Sequence, residues 1–321
     1  MILPEISNFQ MNCAELESTI TAYSNNTTTE NLEKLRIQWC RTAQSYGRIY
    51  VFNIGTIKDR FFNLRLYDWP SSTGAINSNL NNYDAFDLEL IQSVSIGASS
   101  KSIPGIEYLI YESQSLTEVN SKFLNQKNRL EYLMYASKAL NIDASELKNI
   151  WSPTGRNYAD DFIYNDNTSI DGSFNQLYNG INNLIEVAKI KKLSKPAGLG
   201  KSINTDPRIL QAGYSRISKE ILSENLNIIE ELFFSTSGLN ISDYLNFKSG
   251  NNELSIECKE KLSTCKDKIN ALDVSLREAI DTDKTEVEEI FNSFEDLSEL
   301  LAVDVKFAFS ITITPVDTDG D

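Results

Sequence analysis

No histidine occurs anywhere in the 321 residues. That absence removes Ser-His-Asp and Cys-His nucleophile pairs, H-E-x-x-H zinc sites and imidazole proton shuttles, and leaves carboxylates and tyrosines for any polar chemistry. Cysteine is scarce as well: Cys13, Cys40, Cys258 and Cys265 form no C-x-x-C pair and offer no metal-ligand spacing. With 14 glycines and 7 prolines the chain has too few turn formers for an all-β fold. No apolar run reaches the roughly 18 residues of a membrane-crossing helix. The opening Met1-Ile2-Leu3-Pro4 has neither a basic n-region nor an apolar h-region. Taken literally it is a cytoplasmic start, and a mature chain trimmed of its signal would read the same way.

What is present is globular and acidic. A hydrophobic fraction of 41% beside 23% charged residues suits a helical chain long enough for two domains that need no metal or disulfide staple. Forty-five acidic against 30 basic residues give a net charge of −15, which repels nucleic acid and anionic membranes and concentrates cations. Nucleic-acid partners are excluded on that ground.

Helical periodicity runs through most of the chain. Pro4 to Tyr23 predicts a first helix, and a second carries Leu32, Leu35, Trp39, Ala43, Tyr46 and Tyr50. A kinked aromatic stretch from Phe61 to Pro70 and shorter pieces over 72–94 follow. Ser99 to Ser102 reads as a loop, after which Pro104 opens a helix through Ile110. Helices are expected over 117–140, 143–151, 156–165 and 172–193, with Asn141-Ile142-Asp143 as punctuation. Pro196 to Gly200 is the strongest break in the second half and suggests a crossing between bundles. Long helices are expected over 206–234 and 253–280. On the latter, Cys258, Leu262, Cys265, Ile269, Leu272 and Leu276 form an apolar seam. Cys258 and Cys265 lie about 10.5 Å apart along a helix, too far for a disulfide, whereas Cys13 and Cys40 could meet on antiparallel neighbours. Asp283 with Glu286 resembles a capping box, and Phe309–Thr314 alternates like a strand. The fold class is therefore all-α, in two bundle-like halves at 1–150 and 151–321, with a soft boundary over 140–205.

Several short motifs, in order, resemble the imelysin family of bacterial cell-envelope proteins: Ile2-Leu3-Pro4, Phe52-x-Ile54-Gly55, Asp68-Trp69-Pro70, and Gly105-Ile106-Glu107-Tyr108-Leu109. They continue with Trp151, Gly155, Tyr158 and Phe162, with Lys189-x-x-Lys192-Leu193-x-x-Pro196, and with Asp206-Pro207. Tyr214-Ser215-x-x-Ser218 and Asp319-Gly320-Asp321 close the series. The resemblance implies two helical bundles with a functional cleft between them, in a periplasmic protein or outer-membrane lipoprotein linked to iron uptake, with an export signal upstream of Met1. It also carries a metallopeptidase label, resting on the motif G-x-H-x-x-E. Here that window reads Ser102-Ile103-Pro104-Gly105-Ile106-Glu107, so the acid is kept and the histidine is proline. Gln211 stands where many relatives have glutamate.

The ligand-binding candidates are Glu107, Asp68, Trp69, Tyr214, Ser215 and Ser218, with Glu107 also the candidate metal ligand. Glu107 is expected in the first turn after Pro104, where the helix dipole favours an ionised carboxylate. Its plainer role is to stabilise a helix start. Asp68 can accept a bond from a ligand while Trp69 offers a flat wall, or Trp69 is a core anchor. Tyr214 and Ser218, four residues apart, would share one helix face, for a pocket or for interhelical bonding. Arg65 and Arg208 rank lower, as surface or bridging charges. Asp281–Asn292 and the terminal Asp317-x-Asp319-Gly320-Asp321 only begin like calcium loops, so capping and a solvated tail explain them better.

The leading expectation is a non-enzymatic envelope protein that binds a ligand, cation or partner, with iron or another hard cation as the cofactor class. A metallopeptidase and a docking protein for an outer-membrane receptor are the alternatives.

Overall fold

The computed structural model describes residues 1–317, and Asp319-Gly320-Asp321 lies outside the described residues. The described residues form helices, turns and irregular connections, with no strand among them. The chain divides into two compact units: residues 1–49 with 56–161, and residues 50–55 with 162–321.

In the first unit α1 (Ile2–Asn25) buries Ile6, Phe9, Cys13, Leu16, Ile20 and Tyr23. Their steps of three and four make one stripe, and it packs against α2 (Thr29–Ile49) and α4 (Lys127–Trp151). Between these lie short pieces and α3 (Ile103–Tyr111), all nine residues of which are buried. Arg36 of α2 caps α3 and the turn after it, its guanidinium donating to the carbonyls of Ile110 (2.8 Å), Ser113 (2.7 Å) and Gln114 (3.2 Å).

Two expectations fail here for tertiary reasons. Asn141-Ile142-Asp143 does not break α4, because its polar groups find distant partners: Asn141 donates to Glu17 at 2.7 Å, and Asp143 pairs with Arg65. The break falls at Gln126 instead. Ala98–Lys101 is a helical turn and not a loop, held where Lys101 Nζ donates to the carbonyls of Ile91 (2.8 Å) and Ser93 (3.3 Å).

The second unit is built on α5 (Ser173–Val187), α6 (Ser218–Phe234), α7 (Glu253–Ala271) and α8 (Thr285–Leu300). The seam is buried as expected, from Cys258 through Leu276. The helix expected over 253–280 is two, however: Leu272 turns extended, and Ser275 caps a new helix, Leu276–Thr282, by accepting from Glu278 N–H at 3.2 Å. No capping box forms at Asp283, whose carboxylate accepts from the Thr285 N–H and hydroxyl instead. α5 runs into a wide π-helical stretch, Ala188–Ser194, and one further turn before Gly198 and Gly200 end it at positive φ. That break lies inside the second unit.

The expected terminal strand is absent. Lys306–Phe309 is helical, Ser310 reverses the chain at φ 57°, and residues 311–316 run without strand pairing. All four cysteines are free thiols, so Cys13 and Cys40 are not bridged.

Candidate functional site

Glu107 sits at the fifth position of α3, not in its first turn, so the expected dipole argument does not apply to it. It is 2% exposed. The helix reaches this depth because Gly105 has no side chain: a Cβ there would stand 2.0 Å from the carbonyl oxygen of Ser100. Trp39 fixes the same end, its indole N–H donating to the Ile103 carbonyl at 3.0 Å.

Tyr67 gathers the first unit's candidates around this carboxylate. Its ring lies 5.0 Å from that of Tyr46 and edge-on to Trp69 at 5.9 Å. Burial first, and then the negative fields of Glu107, Tyr46 and Cys40, push its phenol well above the ordinary value. The Tyr67 hydroxyl is buried with no hydrogen-bond partner among the described residues. Asp68 N–H donates to Ser102 Oγ at 3.4 Å, which ties the Asp68-Trp69-Pro70 turn to the residue before α3. Glu107, Asp68 and Trp69 are thus brought into one neighbourhood. Tyr67 and Tyr46 join them; the aromatic spacing was visible in sequence, but their convergence on Glu107 needed the fold.

Chemically, a water-poor carboxylate beside a phenol suits a cation with oxygen preference or a ligand offering hydrogen-bond donors. Iron fits this donor set only in part. Among the described residues no three of Cys, Asp and Glu gather into a metal-holding group.

In the second unit the candidates sit differently from the expectation. The helix read over 206–234 is broken: Pro207–Ile209 forms a 3₁₀ turn, residues 210–217 are irregular, and α6 begins only at Ser218. Tyr214 and Ser218 therefore do not share a helix face. Ala212 and Arg216 both adopt left-handed backbone, φ 54° and 65°, and bracket Tyr214. Such conformations store strain in non-glycine residues. Ser215 Oγ donates to the Ala212 carbonyl at 3.1 Å, and Ser218 Oγ donates to the Gln211 carbonyl. Gln211 is 2% exposed, and its Oε1 has no partner among the described residues.

Arg65 and Arg208 are both ion-paired. Arg208 pairs with Asp206 on the surface at 2.8 Å. Arg65 pairs with Asp143 and Glu146 and borders a cavity of about 550 Å³ in the first unit, together with Lys101, Asp143, Ile96 and Leu140. Sequence reading missed Lys101 and Asp143 there, since they lie far apart in the chain.

Two buried groups of the second unit were also missed. Lys192 Nζ donates to Asn225 Oδ1 at 2.6 Å from the π-helical stretch, and burial lowers its pKa to about 7. Asp317, expected in a solvated tail, accepts from the Tyr50 hydroxyl at 2.7 Å and from Asn183 at 3.0 Å.

The family model for imelysin, the M75 peptidase family, matches residues 2–303. No curated protein matches the chain. Among solved structures, an imelysin-like protein from Psychrobacter arcticum 273-4 superposes with a TM-score of 0.81 at 18% identity, covering 98% of this chain and 93% of that one. A protein from Parabacteroides distasonis ATCC 8503, provisionally named an iron-regulated protein A precursor, gives 0.78 at 18% identity over 96% and 92%. At that identity the likeness shows the fold, and the family model supplies the rest. With the family model matched over residues 2–303, the chain belongs to the imelysin family.

Proposed function

We propose that this imelysin-family chain is a non-enzymatic binding protein of the cell envelope that serves iron or other metal acquisition, in the periplasm or as an outer-membrane lipoprotein. It takes a ligand, a hard cation or a partner at the Glu107 neighbourhood. The observation that carries the reading is a buried Glu107 whose field reaches a buried Tyr67 hydroxyl that has no hydrogen-bond partner among the described residues. A buried hydroxyl without an acceptor costs stability, and a bound cation that takes the phenol oxygen as a ligand, or a bound group that accepts from the hydroxyl, offsets that cost. Hydrolysis does not fit as well, since a peptidase metal needs three protein ligands and an open position. The provisional iron-regulated name of the Parabacteroides distasonis protein supports the iron context.

Calorimetry with ferrous, ferric, zinc and calcium ions on wild type, Glu107→Gln and Tyr67→Phe tests it. The expected result is binding of a hard cation that weakens at least tenfold in Glu107→Gln. Equal affinity in wild type and Glu107→Gln would remove the site.

A further inference from the structure

The buried face of α5 carries asparagines at regular spacing, Asn175, Asn179 and Asn183, one turn apart. Asparagine in a helix interior contributes little to helix formation, because its amide competes with the backbone for hydrogen bonds. Here the amides are used on another stretch of chain. Asn179 Nδ2 donates to the Thr312 carbonyl at 2.9 Å, and its Oδ1 accepts from the Thr314 N–H at 2.7 Å. One side-chain amide thus engages the C=O and N–H on either side of Ile313, the pair that a neighbouring β-strand would engage. Asn183, one turn on, holds the far end differently, its Oδ1 accepting from the Asp317 N–H at 2.8 Å while its Nδ2 donates to the Asp317 side-chain carboxylate. Pro315, between these contacts, has no N–H to satisfy.

This explains why a segment with strand-like alternation forms no strand: α5 supplies the ladder from side chains. Such recognition reads backbone and is largely indifferent to sequence, as in the addition of a peptide strand to a sheet edge. Specificity comes from the ends. Ile311 is the one fully buried side chain of 311–317. Asp317 places its carboxylate against the hydroxyl of Tyr50, whose ring centroid lies 6.0 Å from Lys192 Nζ. Between these two anchors residues 312–316 are half-buried or exposed. A segment held by side-chain hydrogen bonds, with little apolar area of its own, opens at a lower free energy than the helices beneath it.

We propose that the asparagine face of α5 is a binding groove for an extended peptide bearing a carboxylate, and that residues 311–317 are its displaceable internal ligand. The groove takes an apolar side chain at the Ile311 position and an acidic one at the Asp317 position, and the backbone between them is held by Asn179 and Asn183. The occupant in trans is an extended acidic segment of a partner protein that competes with the chain's own.

The test uses the full chain with Ile311–Asp317 replaced by a Gly-Ser run of equal length, and a fluorescein-labelled, C-terminally amidated peptide of residues 310–317. Fluorescence anisotropy is expected to show saturable binding to this variant and at least tenfold weaker binding to wild type, whose groove is filled. Asn179→Ala with Asn183→Ala in the Gly-Ser background should weaken binding at least tenfold, and so should Asp→Asn at the peptide's last position. Three results overturn the proposal: no saturable binding to the folded variant, unchanged affinity after loss of both asparagines, or equal affinity for wild type. Loss of the cooperative thermal transition in the Gly-Ser variant overturns it too, since the segment would then belong to the core. None of these readouts depends on the Glu107 site.

Discussion

Arg36 and Arg129 carry formal charge into the interior of the first unit, beside the buried carboxyl group of Glu107. The second unit fills comparable depth with the neutral amides of Asn175, Asn179, Asn182, Asn183 and Asn225, and admits the ammonium of Lys192. The two solutions answer one requirement, that a buried polar group find a partner, at different electrostatic cost. A charged group holds its partners strongly but leaves a large penalty behind when either is removed. An amide is cheaper to bury and offers a donor and an acceptor together, so it can grip a backbone segment without fixing a charge beside it. The first unit is thereby suited to a fixed polar site, the second to an exchangeable peptide contact.

The largest expected break in that contrast is Arg129→Ala. Arg129 is 2% exposed, donates to the Leu109 carbonyl at 2.9 Å and pairs with Glu112. Its loss leaves a buried carboxylate with Lys122 as its remaining ion pair at 3.0 Å, and should cost about 3 kcal/mol. Urea unfolding measures it. Lys192→Met, by contrast, relieves a desolvated amine while removing one donor from the buried Asn225 amide, so the two effects offset and stability should stay within about 1 kcal/mol of wild type near pH 7. A loss of about 3 kcal/mol there would show that both units depend on buried charge alike. Between these lies Gly105→Ala, whose added Cβ meets backbone and not a movable side chain, for an expected loss of about 1–3 kcal/mol.

The pH response sharpens the comparison further. Lys192 in the folded chain titrates near 7, against an ordinary 10.5. Between those values the unfolded chain binds the extra proton, so this residue makes stability rise with pH from about 7 upward. The raised thiols of Cys258 and Cys265 act in the opposite sense once unfolded thiols begin to ionise near pH 9. The clean quantity is therefore the stability difference between wild type and Lys192→Met over pH 7 to 8.5. It should move in favour of wild type by about 1–2 kcal/mol as pH rises, discounted for relaxation around the amine. A flat difference would mean that the ammonium is not desolvated in the folded chain.

Most of the architecture was legible in the sequence, and the reason is physical. The three-four spacing of Ile6 to Tyr23 and of Cys258 to Ile269 states a buried stripe whatever the neighbours are. The misreadings share another cause. Asn141 and Asp143 look like breakers until Glu17 and Arg65 arrive from other helices, and Ile311 to Val316 looks like a strand until an asparagine ladder takes the place of a partner strand. Residues 206–217 have helical periodicity and are irregular nonetheless, since left-handed Ala212 and Arg216 leave no trace in a hydrophobic pattern. Of the candidate site, Glu107 and the Asp68-Trp69 turn could be named from resemblance. Tyr67 could not, because its importance lies in an unpartnered hydroxyl and in rings that meet only after folding.

That hydroxyl gives the smallest effect and the most discriminating one. If Tyr67 served packing alone, Tyr67→Phe would delete a buried donor without an acceptor and leave the rings against Tyr46 and Trp69 in place, so stability should rise by about 1 kcal/mol. The binding proposal expects the same gain in the unliganded protein together with weakened affinity in the titration that probes Glu107→Gln. Stability gained without affinity lost would assign the phenol to the core and leave Glu107 to act without it. Stability lost would mean that the hydroxyl has an acceptor after all, in which case the case for a ligand beside Glu107 loses its best physical support.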